Sequence, residues 1–445
     1  MRADFEAKRA RLAEALRSAG TKPVRLRKRT SNLFRDRKPS DGLHLDVGDL
    51  TGVLDVDLAA GLVDVEAMTT YADLVDACLA VGVMPAVVPE LKSITIGGAV
   101  SGLGIEASSF RHGLVHETVT ELEVLLPDGR SVVATPTNAD APLFFGIPNA
   151  FGTLGYILRL KAKTVPVQPY VRIERTRHGA AEAFLADLAE QCQGDADFVE
   201  GVVFAADRLY VSVGRFVDRA PFVSDYSFEH VYYRSIAERP VDYLTVRDFI
   251  WRWDTDWFWC SKNLLAEWPP VRRLLGRDRL NSITYTRLMR WNNRFNVLGG
   301  IHRLLGRRSE SVIQDVDVPI DRAAEFLDFL LREIGIVPVW TCPFRTRPGA
   351  ETFPLFPLPA GRLYVNFGFW DIVRSRERRP ANHYNRLIER ELIEIGGTKS
   401  LYSDSYFSRE EFWRLYNGEA YGRLKAAYDP DGRLKDLYQK CVLRE

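Results

Sequence analysis

Apolar and polar positions alternate with two different periods along the 445 residues. From Ala3 to Ser18, Ala, Leu and Phe recur among charged residues at helical spacing and the pattern stops at Gly20, which predicts a surface helix. Between residues 43 and 165 the predicted order is strand, strand, helix, strand, loop, strand, strand. Leu43–Val47 and Leu62–Val65 are short β segments, Tyr71–Val81 is helical, and Met84–Val88 leads into a glycine-rich stretch. Glu121–Val133 reads as a hairpin turned by Asp128-Gly129, and a strand from Ile157 to Lys163 ends at Pro166. Beyond Pro166 the texture changes: strands such as Phe198–Phe204 and Leu209–Val213 alternate with helices such as Asp321–Glu333, as far as about Gly397. Short strands mixed with a few helices predict an α+β protein rather than a run of βαβ repeats. The divisions expected are residues 1–165, 166–397 and 398–445.

Composition narrows the function classes. Hydrophobic residues make up 46% and charged residues 27%, with 60 Lys and Arg against 59 Asp and Glu, so no global field favours nucleic acid. Five cysteines, Cys78, Cys192, Cys260, Cys342 and Cys441, are far apart and form no C-x-x-C, which argues against a disulfide framework or a metal site and suits a reducing cytoplasm. The first residues carry no apolar leader, and no run reaches the roughly 18 apolar residues of a membrane span, so a cytoplasmic protein is expected, at most peripheral to a membrane. Residues 249–275 qualify that expectation, since Trp251, Trp253, Trp257 and Trp259 crowd together ahead of Trp268-Pro269-Pro270. Aromatics so dense suit a core or domain interface, the wall of an apolar pocket, or a face that rests on lipid headgroups. Nothing in the chain sets an oligomeric state.

The candidate chemistry centres on Pro89–Gly113, where Gly97, Gly98, Gly102 and Gly104 let backbone approach a ligand with no Cβ in the way. Neither Gly97-Gly98-x-x-x-Gly102 nor Gly102-x-Gly104 completes the G-x-G-x-x-G of a Rossmann unit, so the stretch is either a turn between strands or an anion-holding loop of another scaffold. A second cluster, Gly152-Thr153-Leu154-Gly155, precedes the strand that ends at Pro166. Upstream, Met1–Lys38 holds thirteen basic against four acidic residues and closes on Thr30-Ser31-Asn32, a solvated face or a phosphate contact.

Taken together, Thr95-Ile96-Gly97-Gly98 behind Pro89, Arg111-His112-Gly113, the Asp128-Gly129 hairpin and the Gly152–Gly155 cluster resemble the FAD-binding domain of the vanillyl-alcohol-oxidase, or p-cresol methylhydroxylase, type. The resemblance implies a two-subdomain FAD-binding domain over 1–165, an α+β substrate (cap) domain over 166–397, and a C-terminal segment, 398–445, that returns to the flavin. Carried onto this chain, the flavin contacts implied are Thr30, Ser31 and Asn32; Thr95, Gly97, Gly98, Ser101, Gly102, Ile105, Glu106, Ser108, Ser109 and Gly113; and Gly152, Thr153 and Gly155. Many relatives attach FAD through a histidine in the early segment; Arg29–Phe34 contains neither His nor Cys, so dissociable FAD is expected.

A narrower resemblance, to the delta-24 sterol reductases, runs through Gly104-Ile105-Glu106-Ala107-Ser108-Ser109, Val312–Pro319, Pro338–Phe344 and Leu401–Trp413. It implies reduction of an isolated carbon–carbon double bond of a lipid with FAD and NADPH. Eukaryotic sterol enzymes typically begin with a membrane anchor, which is not seen here, so a soluble relative of bacterial type is expected. Related actinobacterial FAD proteins reduce the methylene group of branched fatty acyl lipids, which keeps both lipids open as substrate. The reaction needs an acid near the flavin, and Glu106, Tyr402, Asp404, Tyr406, Lys399, His112 and His383 are the candidates. Tyr402 is favoured, with Asp404 to orient it if Tyr402-x-Asp404-x-Tyr406 is a strand, and Glu106 as a flavin or ribityl contact. His116 and Cys342 read as structural. An FAD-dependent alcohol, sugar or lactone oxidase or dehydrogenase, and a non-catalytic flavoprotein or lipid-binding module, are the alternatives.

Overall fold

The computed structural model describes residues 2–28, 42–264, 266–285, 287, 308–346, 353–375 and 377–445. Thr30, Ser31 and Asn32 lie outside the described residues. Helix Arg2–Ser18 ends before Gly20, at φ +60°, as its pattern predicts. Its apolar face, Phe5, Leu12 and Leu16, packs with Val24 of β1 (Val24–Arg27) and Leu45 of β2 (Leu43–Asp46), which pair in parallel. Its polar face covers a sheet: Lys8 and Arg9 reach Glu66 and Glu123.

That sheet is antiparallel and has six strands. Its order is β3 (Val53–Asp57), β4 (Leu62–Glu66), β8 (Tyr156–Pro166), β6 (Val119–Leu125), β7 (Ser131–Ala134), with the short β5 (Val83–Pro85) also on β8. Val63, Leu122, Leu160 and Ala162 form the core with helix Tyr71–Leu79, whose start is capped by the Thr70 hydroxyl accepting from Asp73 N–H at 3.3 Å. A further strand, Val53–Asp57, alternates Leu54 and Val56 with exposed Asp55 and Asp57 and is an element that the predicted order omits.

The chain changes sheet between Pro166 and Tyr170. The second sheet runs β12 (Val241–Thr245), β9 (Tyr170–His178), β11 (Arg208–Val217), β10 (Phe198–Ala205), β14 (Val339–Arg345), β15 (Leu363–Ser375), β13 (Arg308–Pro319), β16 (Thr398–Lys399), all antiparallel. Its buried face packs on helices Ala181–Gln191 and Ala323–Phe329. The helix expected over 321–333 is a 3-10 turn, Ile320–Arg322, that helix, and a wider π turn, Leu330–Ile334. After β16 the chain crosses back: Lys425 donates to Thr153 O at 2.9 Å, and Arg433 donates to Leu16 O at 3.1 Å. The mixed α+β architecture is thus observed. Trp251, Trp253, Trp257 and Trp259 are buried, whereas Trp268 and Leu274 are 62% and 83% exposed. No helix among the described residues is long and apolar enough to cross a membrane.

Candidate active site

One cavity takes its walls from segments far apart in the chain. Thr95, Gly98, Ser101, Gly102 and Ile105 line it from the glycine stretch, with Gly152 and Gly155 from the second cluster. Gly98 is exposed between buried neighbours, and Gly152 holds φ +72°, a conformation that glycine adopts without strain. Gly97 and Gly102 also face the cavity, but the expectation that their amides hold an anion is corrected: Gly97 N–H donates to Ala67 O at 2.9 Å and Gly102 N–H to Gly98 O at 2.8 Å. Gly97 is small for packing, since a Cβ there would lie 2.7 Å from Ala67 Cβ and 2.8 Å from Ala67 O. Ala67 O is backbone and cannot swing aside. Gly97→Ala is therefore expected to cost about 1–3 kcal/mol by overpacking, read as a lower urea midpoint, and to weaken FAD retention.

Other implied flavin contacts lie away from the cavity wall. Ser108 donates its hydroxyl to Ala86 O at 2.8 Å, Ser109 Oγ accepts from Glu106 N–H at 3.1 Å, and Thr153 donates to Ala150 O at 2.8 Å. Gly113, at φ +75°, makes room for Glu117, which accepts from Leu114 N–H at 2.8 Å. These residues shape the loops rather than line the cavity. In compensation, four basic side chains that line it, Arg25, Lys28, Lys435 and Lys440, gather where β1 meets the C-terminal segment, joined by Val24 N–H to Arg433 O at 3.2 Å. Lys440 Nζ lies 3.6 Å from where a Gly152 Cβ would stand. Cations beside side-chain-free backbone suit a diphosphate, and the aromatic lining, with Phe258, Trp259, Trp340 and Trp370, suits a flat ring system. The residues present therefore fit FAD.

The second sheet supplies the wall's polar groups by strand alternation. Asp315 and Asp317 on β13 share a face with Asn366, Gly368 and Trp370 on β15, in the register Asp315 opposite Gly368 and Asp317 opposite Asn366. A Cβ on Gly368 would be 2.7 Å from Asp315 Oδ1, so the glycine makes space for that carboxyl. Tyr402 donates its hydroxyl proton to Asp315 Oδ2 and accepts from Trp370 Nε1–H at 3.1 Å. Burial pushes Asp315 up to about 6 and Asp317 up to about 7, and burial with the Asp315 charge raises Tyr402 well above its usual value.

The other acid candidates are placed elsewhere. Asp404 does not orient Tyr402: it pairs with Arg444 at 3.1 Å and accepts from the Tyr406 hydroxyl at 3.4 Å. Residues 402, 404 and 406 are not on a strand, because β16 ends at Lys399. Lys399 is buried against Glu389 at 3.1 Å. His112 and His383 do not line the cavity, and His116, held neutral by burial at about 3, packs edge-on against Phe353. Cys342 is buried, and burial raises its thiol.

Glu106 is also redirected. Its carboxylate accepts from Arg252 Nη2 at 2.7 Å, and the same Nη2 reaches Glu200 Oε2 at 2.7 Å. Carboxylate oxygens of Glu90, Glu106 and Glu200 lie within 4.8 Å of one another, and the cation among them is Arg252. Trp253 and Trp340 donate to Glu200 at 3.1 and 2.9 Å, and the cluster ties the glycine stretch to β10, β14 and the residues after helix Val246–Ile250. Glu90, Asp315, Asp317, Arg252 and Lys440 were not singled out from sequence. Two signals pointed to them: single charges inside apolar or aromatic runs, and acids alternating with valines over Asp315-Val316-Asp317-Val318.

Comparison with known proteins agrees with this geometry. A family model described as FAD binding domain matches residues 7–135. Over 410 residues the chain is 27% identical to the Delta(24)-sterol reductase of Homo sapiens, covering 88% of this chain and 76% of that protein. It is 24% identical to the Delta(24)-sterol reductase of Arabidopsis thaliana over 444 residues, covering 91% and 77%. A shorter match, 30% over 166 residues, covers 37% of the chain and 31% of cytokinin dehydrogenase 8 of Oryza sativa subsp. indica. With an FAD-binding domain at its N-terminal end, a cavity that fits the cofactor, and similarity to Delta(24)-sterol reductases along most of its length, the chain belongs among the FAD-dependent oxidoreductases.

Proposed function

We propose that the chain reduces a carbon–carbon double bond of a lipid, a sterol side chain or a methylene-branched fatty acyl chain, with NADPH as the electron source. The observation that carries this reading is the Trp370–Tyr402–Asp315 hydrogen-bonded set, a proton-bearing group beside the aromatic side chains that line the FAD cavity. Bound FAD supplies the hydride. The chain's part is to exclude water, hold the alkene and deliver a proton from the Tyr402 hydroxyl to the second alkene carbon. Trp370 Nε1–H stabilises the oxygen as that proton leaves, and Asp315, when protonated, both frees the hydroxyl from its own carboxylate and replaces the proton lost. The similarity to Delta(24)-sterol reductases supports the alkene, and Trp268 and Leu274, exposed beside Arg273, are proposed as the place where the protein rests on a membrane.

The test uses purified protein loaded with FAD. NADPH added without air is expected to bleach the flavin absorbance, and a sterol with a side-chain double bond or a methylene-branched lipid to restore it with appearance of the saturated product. Bleaching by an alcohol or sugar and rapid reoxidation by air, with no lipid product, would overturn the reading in favour of an oxidase.

A further inference from the structure

Asp317 is a buried carboxyl for which the fold supplies little. It is 3% exposed and stands on β13 opposite Asn366 of β15, whose Nδ2–H donates to Asp317 Oδ1 at 2.8 Å. Its Oδ2 has no donor among the described residues, and the one charged group that acts on it is a second acid, Asp315. Across the sheet on its other side is uncharged Thr398 of β16. The tyrosines that feel its charge, Tyr364 and Tyr416, are held neutral by burial. None of the basic side chains of the cavity lining, Arg25, Lys28, Lys435 or Lys440, acts on either carboxyl. A carboxyl buried with one neutral donor and no cation destabilises the fold, and strand pairing does not need it. Groups of this kind gather at functional sites.

Asp317 lines the FAD cavity together with Asp315, Asn366 and Trp370. Asp315 Oδ2 is covered by the Tyr402 hydroxyl, so Asp317 is the carboxyl of the two left for a ligand. The diphosphate of FAD is anionic, suits the basic lining and is repelled by a carboxylate. The proposed lipid is hydrocarbon around its double bond and offers no donor. The flavin ring remains: it is uncharged when oxidised, carries an N–H, suits the aromatic lining that includes Trp370, and takes on negative charge when reduced. We propose that Asp317, as a carboxylate, lies beside the flavin ring and lowers its reduction potential, making the reduced cofactor a stronger hydride donor. A fixed negative charge opposes the charge that reduction adds. Giving hydride to an unactivated double bond gains from this, whereas taking hydride from an alcohol loses. The proposal rests on the FAD-site reading, and its test needs neither the lipid nor NADPH.

The test is the two-electron midpoint potential of the FAD-loaded protein, reduced with dithionite against a reference dye. At roughly pH 8.5, above the value of about 7 to which burial raises Asp317, the wild type carries the charge. Asp317→Asn keeps an acceptor for Asn366 and loses the charge. It is expected to move the equilibrium about 10-fold toward reduced flavin, a rise of about 30 mV for two electrons, and to bind oxidised FAD within about threefold of wild type. Near pH 5.5, where wild-type Asp317 is protonated, the two potentials are expected to converge. Asp317→Ser removes the same charge and is expected to shift the potential in the same direction, so it decides should Asp317→Asn not fold. Asp55→Asn, an exposed acid of β3, is expected to leave the potential unchanged. Equal potentials in wild type and Asp317→Asn at the higher pH overturn the proposal and leave the cofactor reading intact. A folded variant that no longer holds FAD also overturns it, since the carboxyl would then retain the cofactor rather than set its potential. Wild-type protein that takes up no FAD ends the cofactor reading itself.

Discussion

Tyr402→Phe is expected to leave FAD bound and to slow alkene reduction by about 100-fold or more, the usual scale for loss of a positioned general acid. Phe keeps the ring against Trp370 and removes only the hydroxyl that links Trp370 to Asp315. The pH profile adds a second reading of the same group. Asp315, raised by burial to about 6, carries its proton below that pH and loses it as the pH rises. With Asp315 ionised, the Tyr402 hydroxyl is committed to its carboxylate; with Asp315 protonated, the hydroxyl can turn to the cavity. Turnover is therefore expected to decline as pH rises through about 6, and Asp315→Asn is expected to flatten that decline. Unchanged single-turnover rates of flavin reoxidation by the lipid in Tyr402→Phe would remove the tyrosine from the mechanism.

Arg252→Met is expected to carry the largest stability loss, about 3–5 kcal/mol, the scale for leaving buried charges without their partner. The guanidinium is fully buried, faces Glu106 and Glu200, and lies 4.2 Å over the Phe249 ring. Methionine retains the apolar stem and none of the charge. Removing a carboxylate as well limits the damage, so Arg252→Met combined with Glu200→Gln is expected to be less unstable than Arg252→Met alone. Chemical denaturation followed by tryptophan fluorescence reads both. Additive losses in the double variant would mean that the two groups do not depend on each other.

What the sequence made legible was local. The Asp128-Gly129 hairpin and the first helix are set by residues close together in the chain and stand where the pattern predicts them, whereas the glycine stretch, expected as a turn or loop, begins with a short helix, Ile96–Ser101. The acid cluster was not legible, because Glu106 and Arg252 are 146 positions apart and meet only when two sheets dock. The Tyr402 segment failed for another reason. Its alternation of aromatic and small polar residues imitates a strand, yet its backbone is held by side chains: Asp404 O accepts from Lys399 Nζ at 2.7 Å, and Tyr406 N–H donates to Glu389 at 3.0 Å. Those buried partners do for the segment what a neighbouring strand would have done. Likewise, Asp315 shows in sequence as an acid among valines, but its pairing with Tyr402 depends on a Gly368 that clears its space across two strands.

The cavity's shared walls have a thermodynamic consequence. Its basic and glycine lining comes from the β1 segment, the Gly152 loop and the C-terminal segment, and its aromatic lining from the second sheet and the residues around Trp259. A ligand that touches both sets of residues binds only to the docked arrangement of the two sheets. Mass action then makes the exchange mutual: whatever free energy FAD gives to docking, docking returns to FAD affinity. A substitution far from the cofactor that loosens the sheets should surface first as a flavoprotein that loses its colour on dilution.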